Sequence, residues 1–506
     1  MLRNNFKYFN LKNLSKKKLN ICVIGAGFAG ISAATKLADN GHNVFVVEKN
    51  SDFGGRARKL KAKGFTFDMG PSWYWMPDVF ERHFKINGEK IEDYLKLKRL
   101  NPSYKIFFSD KHKVTLPAEF NNIKKIFEKY EKGSGKNLSK FLEDAEKKYK
   151  IGMNKFVRKP SKSIFEFFNF EILTGLLKMD LFKSMHSHIR KYFKNKFLIK
   201  IIEFPLLFLG ATPKNTPALY SLMNYADIKL GTWYPEGGIY KIIEAMISLA
   251  KKKGVIFYSK NEVKSFQIKN KKIIKVETNK KLFDVDVVLS GADYHHTEQK
   301  LLPPNYRNYS SNYWDKMTMS PSSLLFYLGT NKKLKNIAHH CLFFDKDFDQ
   351  HAKDIYEFPQ WPEEPLFYGS FSSKSDNSVS PKGCENIVLL VPIAPNLKDS
   401  DSIREKYYDM IMNRLEKLTK QSIKEHVIFK KSYCINNFKK DYNSFRGNAY
   451  GLANTLFQTA IFKPSIKNKK LINLYYCGQL TVPGPGVPPS IISGEVAAKE
   501  IIKDFE

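Results

Sequence analysis

Cysteine is scarce in this sequence: five cysteines are scattered along 506 residues, and none forms a C-x-x-C pair. Their odd number and wide spacing argue against a disulfide framework, and no spacing typical of a zinc site is present. We therefore expect a protein of a reducing compartment that holds no metal.

Long apolar runs are also missing. No window approaches the roughly 20 apolar residues that a membrane-spanning helix requires. The nearest stretch, residues 204–211, is far too short. The sequence therefore predicts no transmembrane segment, and we expect a protein that is soluble or bound to one face of a membrane.

Acidic residues are few compared with basic ones: 50 Asp and Glu stand against 84 Lys and Arg, a formal net charge of +34. Such a chain could bind nucleic acid, an anionic membrane surface or an acidic ligand. The basic residues are mostly lysines spread along the length, and no recognisable nucleic-acid motif accompanies them, so we expect no nucleic-acid partner. Solvated lysines and attraction to a membrane surface stay open as alternatives.

Hydrophobic residues make up 42% and aromatic residues 14% of the chain, which is typical of a globular protein. A chain of this length can bury two or three cores, which favours an enzyme of several parts.

The first informative motif follows residue 19. An apolar run, residues 21–24, is typical of a buried parallel strand, and three glycines follow it in G-x-G-x-x-G spacing: Gly25, Gly27 and Gly30. Gly25 permits a tight turn, Gly27 lets the backbone approach a pyrophosphate, and Gly30 lets the next helix pack closely on the strand. The free N–H groups at that helix N-terminus favour the phosphates.

A second apolar run, residues 44–47, ends on Glu48. An acid at this distance from the glycines can accept hydrogen bonds from the ribose hydroxyls of an adenosine. The segment DFGGRAR, residues 52–58, adds a second glycine-rich turn, in which Arg56 and Arg58 can neutralise a diphosphate. These features together predict a dinucleotide site.

At this point the sequence resembles a known family. The segment up to Arg58 resembles the FAD-binding N-terminus of the flavoprotein superfamily that holds amine oxidases, GDP dissociation inhibitors and carotenoid desaturases. The run GFTFDMGPSWYWMPDVFERHF, residues 64–84, resembles the bacterial-type phytoene desaturases. The resemblance implies FAD as the cofactor. It also implies an α/β fold with a Rossmann-like FAD-binding domain, an inserted α+β substrate domain and a helical, membrane-facing subdomain.

The C-terminus supplies a second cofactor motif. The segment NLYYCG, residues 473–478, predicts a strand, and TVPGPGVPPSII, residues 481–492, leads into a helix that runs to about Lys503. A helix N-terminus at this place would stabilise the negative charge that reduced flavin carries around N1 and the C2 carbonyl. Many members of the superfamily have an acid where Gln479 stands, but an amide can also hydrogen-bond.

The motifs and the resemblance together predict a cofactor site. Its predicted members are Gly25, Gly27, Phe28, Ala29, Gly30, Glu48, Lys49, Gly55, Arg56, Ala57, Arg58, Gly70, Pro71, Val263, Gly478, Gln479, Gly486, Val487 and Pro488. Val263 is included because its position in the family contacts the adenine through its backbone.

We predict a discontinuous FAD-binding domain from residues 20–75, 235–300 and 446–506. Residues 76–234 and 301–445 are then the substrate domain, and residues 1–19 a basic N-terminal arm. Strands are predicted over Leu324–Gly329, Asn386–Pro392 and Phe283–Asp293, and His295 and His296 are expected to begin a helix capped by Asp293 rather than to act as bases.

Residues 163–213 are predicted to form the helical membrane-facing part. An apolar stripe, whose members are Phe165, Phe168, Ile172, Leu176 and Met179, precedes a basic amphipathic helix over Leu181–Lys200. We therefore expect a peripheral, monotopic protein on the cytoplasmic face of a membrane.

The resemblance implies an FAD-dependent phytoene desaturase that converts phytoene toward lycopene, with hydride transfer to flavin N5 and a quinone or oxygen as electron acceptor. Neighbouring conjugation stabilises developing positive charge, so positioning in an apolar channel suffices, and we assign no catalytic side chain. The alternatives are a hydroxycarotenoid desaturase, a carotene isomerase, or a non-enzymatic lipid-binding protein like the GDP dissociation inhibitors.

Overall fold

The computed structural model describes residues 17–163, 166, 183–209 and 212–506. Within these ranges the strands are, in chain order, β1 Asn20–Ile24, β2 Asn43–Val47, β3 Lys59–Ala62, β4 Phe65–Asp68, β5 Leu97–Arg99, β6 Tyr104–Phe107, β7 Lys113–Leu116, β8 Trp233–Pro235, β9 Ile256–Tyr258, β10 Val263–Lys269, β11 Lys272–Thr278, β12 Leu282–Asp284, β13 Val287–Ser290, β14 Ser322–Thr330, β15 His340–Phe343, β16 Phe367–Ser370, β17 Glu385–Ile393, β18 Val427–Tyr433 and β19 Leu474–Tyr476.

Helices connect and cover these strands. Within the same ranges the α-helices are α1 Phe28–Asp39, α2 Pro77–Lys85, α3 Phe120–Tyr130, α4 Ser134–Ile151, α5 Met185–Tyr192, α6 Lys196–Glu203, α7 Leu222–Tyr225, α8 Tyr240–Lys252, α9 Tyr294–His296, α10 Ser311–Asp315, α11 Phe348–Tyr356, α12 Asp401–Thr419, α13 Ile435–Tyr442 and α14 Val487–Phe505.

A five-stranded parallel sheet in the order β19-β13-β1-β2-β9 carries the glycine motif. Residues 21–24 of β1 are fully apolar and buried, as both faces of a parallel sheet require. Helix α1 packs against α14, α8 and β2. Because parallel strands end at one edge, the loops after β1, β2, β13 and β19 gather there, and ligands of open α/β sheets bind at such an edge. The predicted Rossmann-like α/β architecture is confirmed.

A second, seven-stranded sheet has the order β18-β14-β17-β16-β15-β6-β7 and is antiparallel except between β15 and β6. Strands β14 and β17 include the predicted segments Leu324–Gly329 and Asn386–Pro392. Apolar side chains of α12, among them Tyr407, Ile411 and Leu415, pack on one face of this sheet. All seven strands lie between the segments that supply the five-stranded sheet.

Two predicted elements differ in the structure. The stretch Phe283–Asp293 is not one strand, because Phe283 pairs with Val276 in an antiparallel hairpin and a separate strand, β13, begins at Val287. The predicted helix over Leu181–Lys200 is divided into α5 and α6, because the Asn195 side chain accepts hydrogen bonds from the backbone of Phe197 and Leu198 and starts a new helix.

Two further predictions concern residues that lie outside the described ranges. They are most of the basic N-terminal arm and the apolar stripe from Phe165 to Met179. Across the portions of the chain that are described, no helix has the combination of length and apolar character needed to cross a bilayer.

Candidate cofactor and substrate site

In the glycine turn after β1, a side chain would find open space at Gly27 but not at Gly25 or Gly30. Gly25 has a φ of +92°, and a Cβ on Gly30 would lie 2.0 Å from the Gly25 carbonyl oxygen, so both positions require glycine. A Cβ on Gly27 would meet no atom within 4 Å. Gly27 is the N-cap of α1, and among the described residues no side chain caps this helix. The turn therefore has the form of an anion-binding site at a helix N-terminus.

Glu48 connects the two loops at this edge of the sheet. Its carboxylate accepts hydrogen bonds at 2.9 Å from the backbone N–H groups of Ala26 and Asn50. Burial raises the pKa of Glu48, and the bonds from Asn50 and Ala26 oppose that rise. The carboxylate thus lies beside the glycine turn, where a ribose of a bound dinucleotide would meet it.

The second glycine-rich turn contacts the first. Gly54 and Gly55 have φ values of +111° and +56°, and the Gly54 N–H donates to the Ala26 carbonyl at 2.7 Å. A Cβ on Gly55 would lie 3.3 Å from the Cα of Gly27. The two turns, which belong to separate sequence motifs, therefore form one glycine-lined surface.

Arg56 provides a half-buried positive charge next to this surface. Its Nη2 donates to Ser444 Oγ at 3.1 Å, and its buried Nε has no hydrogen-bond partner among the described residues. With the Gln479 amide oxygen oriented toward Arg56, that oxygen accepts from Arg56 Nη2 at 2.9 Å. A guanidinium with an unused donor fits an anionic group such as the diphosphate of FAD.

Arg58 is placed differently from Arg56. Its Nη2 pairs with Asp441 Oδ2 at 2.5 Å and its Nε donates to the Tyr442 hydroxyl at 3.3 Å. Arg58 therefore holds the end of α13, and of the two predicted arginines it is Arg56 that faces the open space.

The C-terminal motif closes the site from the other side. Gly486, with a φ of +111°, is the N-cap of α14, and no described side chain caps that helix. A Cβ on Gly494 in α14 would lie 2.2 Å from the Ala29 carbonyl oxygen, and Ser32 Oγ donates to the Ile491 carbonyl at 2.8 Å. The N-terminal and C-terminal cofactor motifs are therefore in close backbone contact at the site.

A cavity of about 510 Å³ joins these features. Every predicted cofactor-binding residue lines it except Gly30, which is covered by the turn it supports, and Arg58. Val263, Lys49, Gly70 and Pro71 are among the lining residues, as are Val487 and Pro488 at the start of α14. The sequence signals thus converge on one place, and the residues present fit a dinucleotide.

The same cavity continues into a region walled by aromatic and apolar side chains from distant segments. Its members include Trp73, Trp75, Phe204, Tyr220, Leu342, Phe344, Phe348, Leu366 and Tyr368. Sequence reasoning missed these residues, although the run SWYWM directly after Gly70 and Pro71 was a signal for two of them.

The hydroxyl of Tyr368 is a polar group within the aromatic wall. The Tyr368 hydroxyl donates to Ser72 Oγ at 2.9 Å and shares a hydrogen bond of 2.7 Å with Nδ1 of His340, whose ring stacks on Trp73 at 4.0 Å between centroids. Burial lowers the pKa of His340 well below its usual value. This neutral pair lets the wall hold an uncharged, apolar molecule without a buried charge.

His295 and His296 lie in α9, directly after β13. Asp293 Oδ1 accepts from the His296 N–H at 3.1 Å, so the predicted cap of α9 is confirmed. Burial lowers the pKa of both His295 and His296 to about 4, and the His295 ring stacks on Phe445.

Comparison with known proteins gives concordant results. The family model described as flavin containing amine oxidoreductase matches residues 28–502. The chain is 37% identical to a carotenoid 3,4-desaturase of Haloarcula japonica, over 96% of this chain and 98% of that protein. It is 32% identical to a 4,4'-diapophytoene desaturase (4,4'-diaponeurosporene-forming) of Staphylococcus haemolyticus, over 96% and 99%. A solved structure of a putrescine oxidase variant superposes with a TM-score of 0.60 at 11% identity, over 96% and 99%.

Proposed function

The chain belongs to the flavin-containing amine oxidoreductase family, among its carotenoid desaturases, and on this premise we propose that it desaturates phytoene stepwise toward lycopene. It is an FAD-dependent oxidoreductase. The observation that carries the proposal is the cavity that joins the two glycine turns to an aromatic-lined region.

Each part of the cavity has a task in this reaction. We assign the diphosphate of FAD to the α1 N-terminus and Arg56, the ribose to Glu48, and the flavin ring to the loop before α14 with Val487 and Pro488. The bound flavin supplies a hydride acceptor. The protein positions the saturated carbon pair against it, and Trp73, Phe344 and Phe348 exclude water from the polyene.

A neutral wall is suited to this substrate class. A carotenoid offers no charge or strong hydrogen-bonding group, so its binding depends on apolar area, at about 25 cal/mol per Å² buried. Carotenoids are the substrate class that the related desaturases' names indicate.

A second candidate reaction has support of its own. The relative that is 37% identical is named a carotenoid 3,4-desaturase, which makes 3,4-desaturation of a carotenoid the alternative to phytoene desaturation. Hydroxycarotenoid desaturation and isomerisation have no separate observation in their favour. The non-enzymatic lipid-binding alternative is set aside, because the chain belongs to a family of oxidoreductases.

Expression in two carotenoid-producing hosts distinguishes these reactions. In cells that accumulate phytoene, coloured polyenes in the chromatogram support the first proposal, and unchanged phytoene rejects it. In cells that accumulate lycopene, a product that absorbs at longer wavelength supports 3,4-desaturation. The Gly27→Ala variant is the matched control, because its added methyl group occupies the space assigned to the cofactor.

We further propose that the enzyme works as a peripheral protein at the cytoplasmic face of a membrane and is reoxidised by a quinone or oxygen. Residues 20–75, 235–300 and 446–506 are proposed as the FAD-binding domain, and residues 76–234 and 301–445 as the substrate domain. Anaerobic turnover with and without added quinone decides between the two acceptors.

A further inference from the structure

Lys463 is a buried lysine with no evident structural partner. It follows a 3-10 turn, Ala460–Phe462, and only 5% of the residue is exposed. Its Nζ has no hydrogen-bond partner among the described residues. A buried amine without a partner is unfavourable, and an apolar side chain of similar length would avoid that cost.

The amine lies against the loop that begins α14. A Cβ on Gly484 would be 3.2 Å from Lys463 Nζ and 3.1 Å from Asn454 Oδ1. That amide oxygen also lacks a partner among the described residues. Asn454 lines the cavity, as do Pro483, Pro485 and Gly486 on either side of Gly484. An unpaired donor and an unpaired acceptor thus both lie next to Gly484, in the loop that we assign to the flavin ring.

Burial determines the pKa of this amine. Burial lowers the pKa of Lys463 to about 7, and no charged side chain of the described residues adds to or opposes that shift. A nearby charge that changes during turnover would therefore control whether the amine holds a proton.

We propose that Lys463, buried behind Gly484, is the charge-compensating proton acceptor for the reduced flavin. Desaturation removes a hydride and a proton from the substrate, and bound FAD would gain one negative charge by accepting the hydride. The neutral Lys463 amine then takes up one proton, so that charge and atoms balance, and releases it on reoxidation. This inference depends on FAD as the cofactor and not on the identity of the carotenoid.

The decisive measurement is the number of protons taken up when bound flavin is reduced. The purified FAD-loaded enzyme is reduced by dithionite with indicator dyes, and the midpoint potential is recorded from pH 5.5 to 9. Each proton taken up with two electrons contributes about 30 mV per pH unit. Above pH 7 we expect the midpoint potential of the wild type to fall by about 30 mV per pH unit more than that of Lys463→Met, which corresponds to one further proton taken up.

Three variants assign that extra proton. Lys463→Met should lose it and have a lower midpoint potential at pH 7. Lys463→Arg, which keeps a permanent charge, should lose the extra proton but hold a higher potential than Lys463→Met. Lys470→Met is the control for an exposed lysine of the same segment and should match wild type.

Two results would overturn the proposal. One is a wild-type slope equal to that of Lys463→Met at every pH, and the other is an extra proton that persists in both Lys463 variants. Should Lys463→Met fail to retain FAD, the comparison of wild type with Lys463→Arg decides the matter in the same way. Neither the proton uptake nor the midpoint potential depends on carotenoid turnover. A failure of the proposed desaturation is therefore distinguished from a failure of this inference.

Discussion

At the scale of single residues, two neighbouring glycines of one motif have opposite reasons to be glycine. Gly30 is required by the protein itself, since its Cβ would lie 2.0 Å from a backbone oxygen. Gly27 is not, because its φ of −81° suits any residue and its Cβ would meet no protein atom within 4 Å. The space beside Gly27 is the space that we assign to the diphosphate of FAD.

This contrast gives a prediction. Gly27→Ala should fold with an almost unchanged melting temperature but lose FAD affinity by about tenfold or more, since one displaced contact of 1–2 kcal/mol suffices for that change. Gly30→Ala should lose both FAD and stability, because backbone overpacking costs about 1–3 kcal/mol or more. Flavin fluorescence titration and thermal melts measure the two effects, and an equal loss of stability in both variants would contradict the assignment.

Lys463 gives a second prediction at this scale, for stability against pH. Its pKa is lowered in the folded protein from 10.5 to about 7. Between these values the unfolded chain binds the proton and the folded protein does not, so stability rises with pH across the window from about 7 to 10.5. Lys463→Met removes this dependence. It should melt at a higher temperature than wild type at pH 7, with a smaller difference at pH 9.5.

Lys470→Met is again the control for the melts, because the exposed amine of Lys470 has no burial cost to remove. A Lys463→Met variant that is less stable than wild type at pH 7 would show that the amine has a stabilising partner in the protein.

At the scale of elements, the site depends on the close packing of α1 against α14. A Cβ on Gly494 would lie 2.2 Å from the Ala29 carbonyl oxygen and 2.9 Å from the Ala33 N–H nitrogen. Both atoms belong to backbone that cannot move aside without displacing α1. The approach of these helices brings the glycine turn and the C-terminal loop together.

Gly494→Ala tests this packing, because the expected change in stability is opposite to the change that helix propensity alone predicts. Alanine favours a helix interior over glycine by about 1 kcal/mol. Overpacking against backbone costs about 1–3 kcal/mol or more, so the net effect should be a lower melting temperature and weaker FAD binding. Lys499→Ala, an exposed position on the same helix, is the matched control and should leave both unchanged. A stabilised Gly494→Ala protein would show that the helices are not in tight contact.

Elements differed in how well sequence predicted them. β1, α1 and α9 were predicted because the strand, the turn and the cap are set by neighbouring residues. The division of α5 from α6 was missed, because apolar and basic side chains keep helical spacing across Asn195 while its cap interrupts the helix. Phe283 was assigned to the wrong strand because its pairing with Val276 is a contact between chain segments.

At the scale of the whole molecule, the net charge of +34 is the feature that bears on membrane binding. Lys191, Lys194 and Lys196 are exposed at the junction of α5 and α6. Arg190, by contrast, is paired with Glu203 at 2.7 Å. Exposed lysines near an anionic surface contribute about 1 kcal/mol each, and salt screens that attraction.

Replacing Lys191, Lys194 and Lys196 by Glu should weaken binding to anionic vesicles by about tenfold or more at low salt, with little effect on vesicles without anionic lipid. Vesicle sedimentation measures both. The control carries the same charge change at Lys398, Lys406 and Lys417, which are exposed in and just before α12. Equal loss in the two triple variants would show that only total charge matters, and no loss in either would reject the proposed surface.

The sequence by itself determined the dinucleotide turn, the acid after β2, and the matching loop before α14. Each of these is made of contiguous residues whose backbone conformation and capping are local properties. The tertiary structure decided what those signals are used for. Arg58 pairs with Asp441, and both Lys463 and Asn454 lie next to Gly484. The aromatic wall consists of side chains from separate segments, among them Trp73, Phe204, Phe344 and Tyr368. Arg58 and Asp441, like the members of the aromatic wall, are distant in sequence, and only the packing of whole segments brings them together.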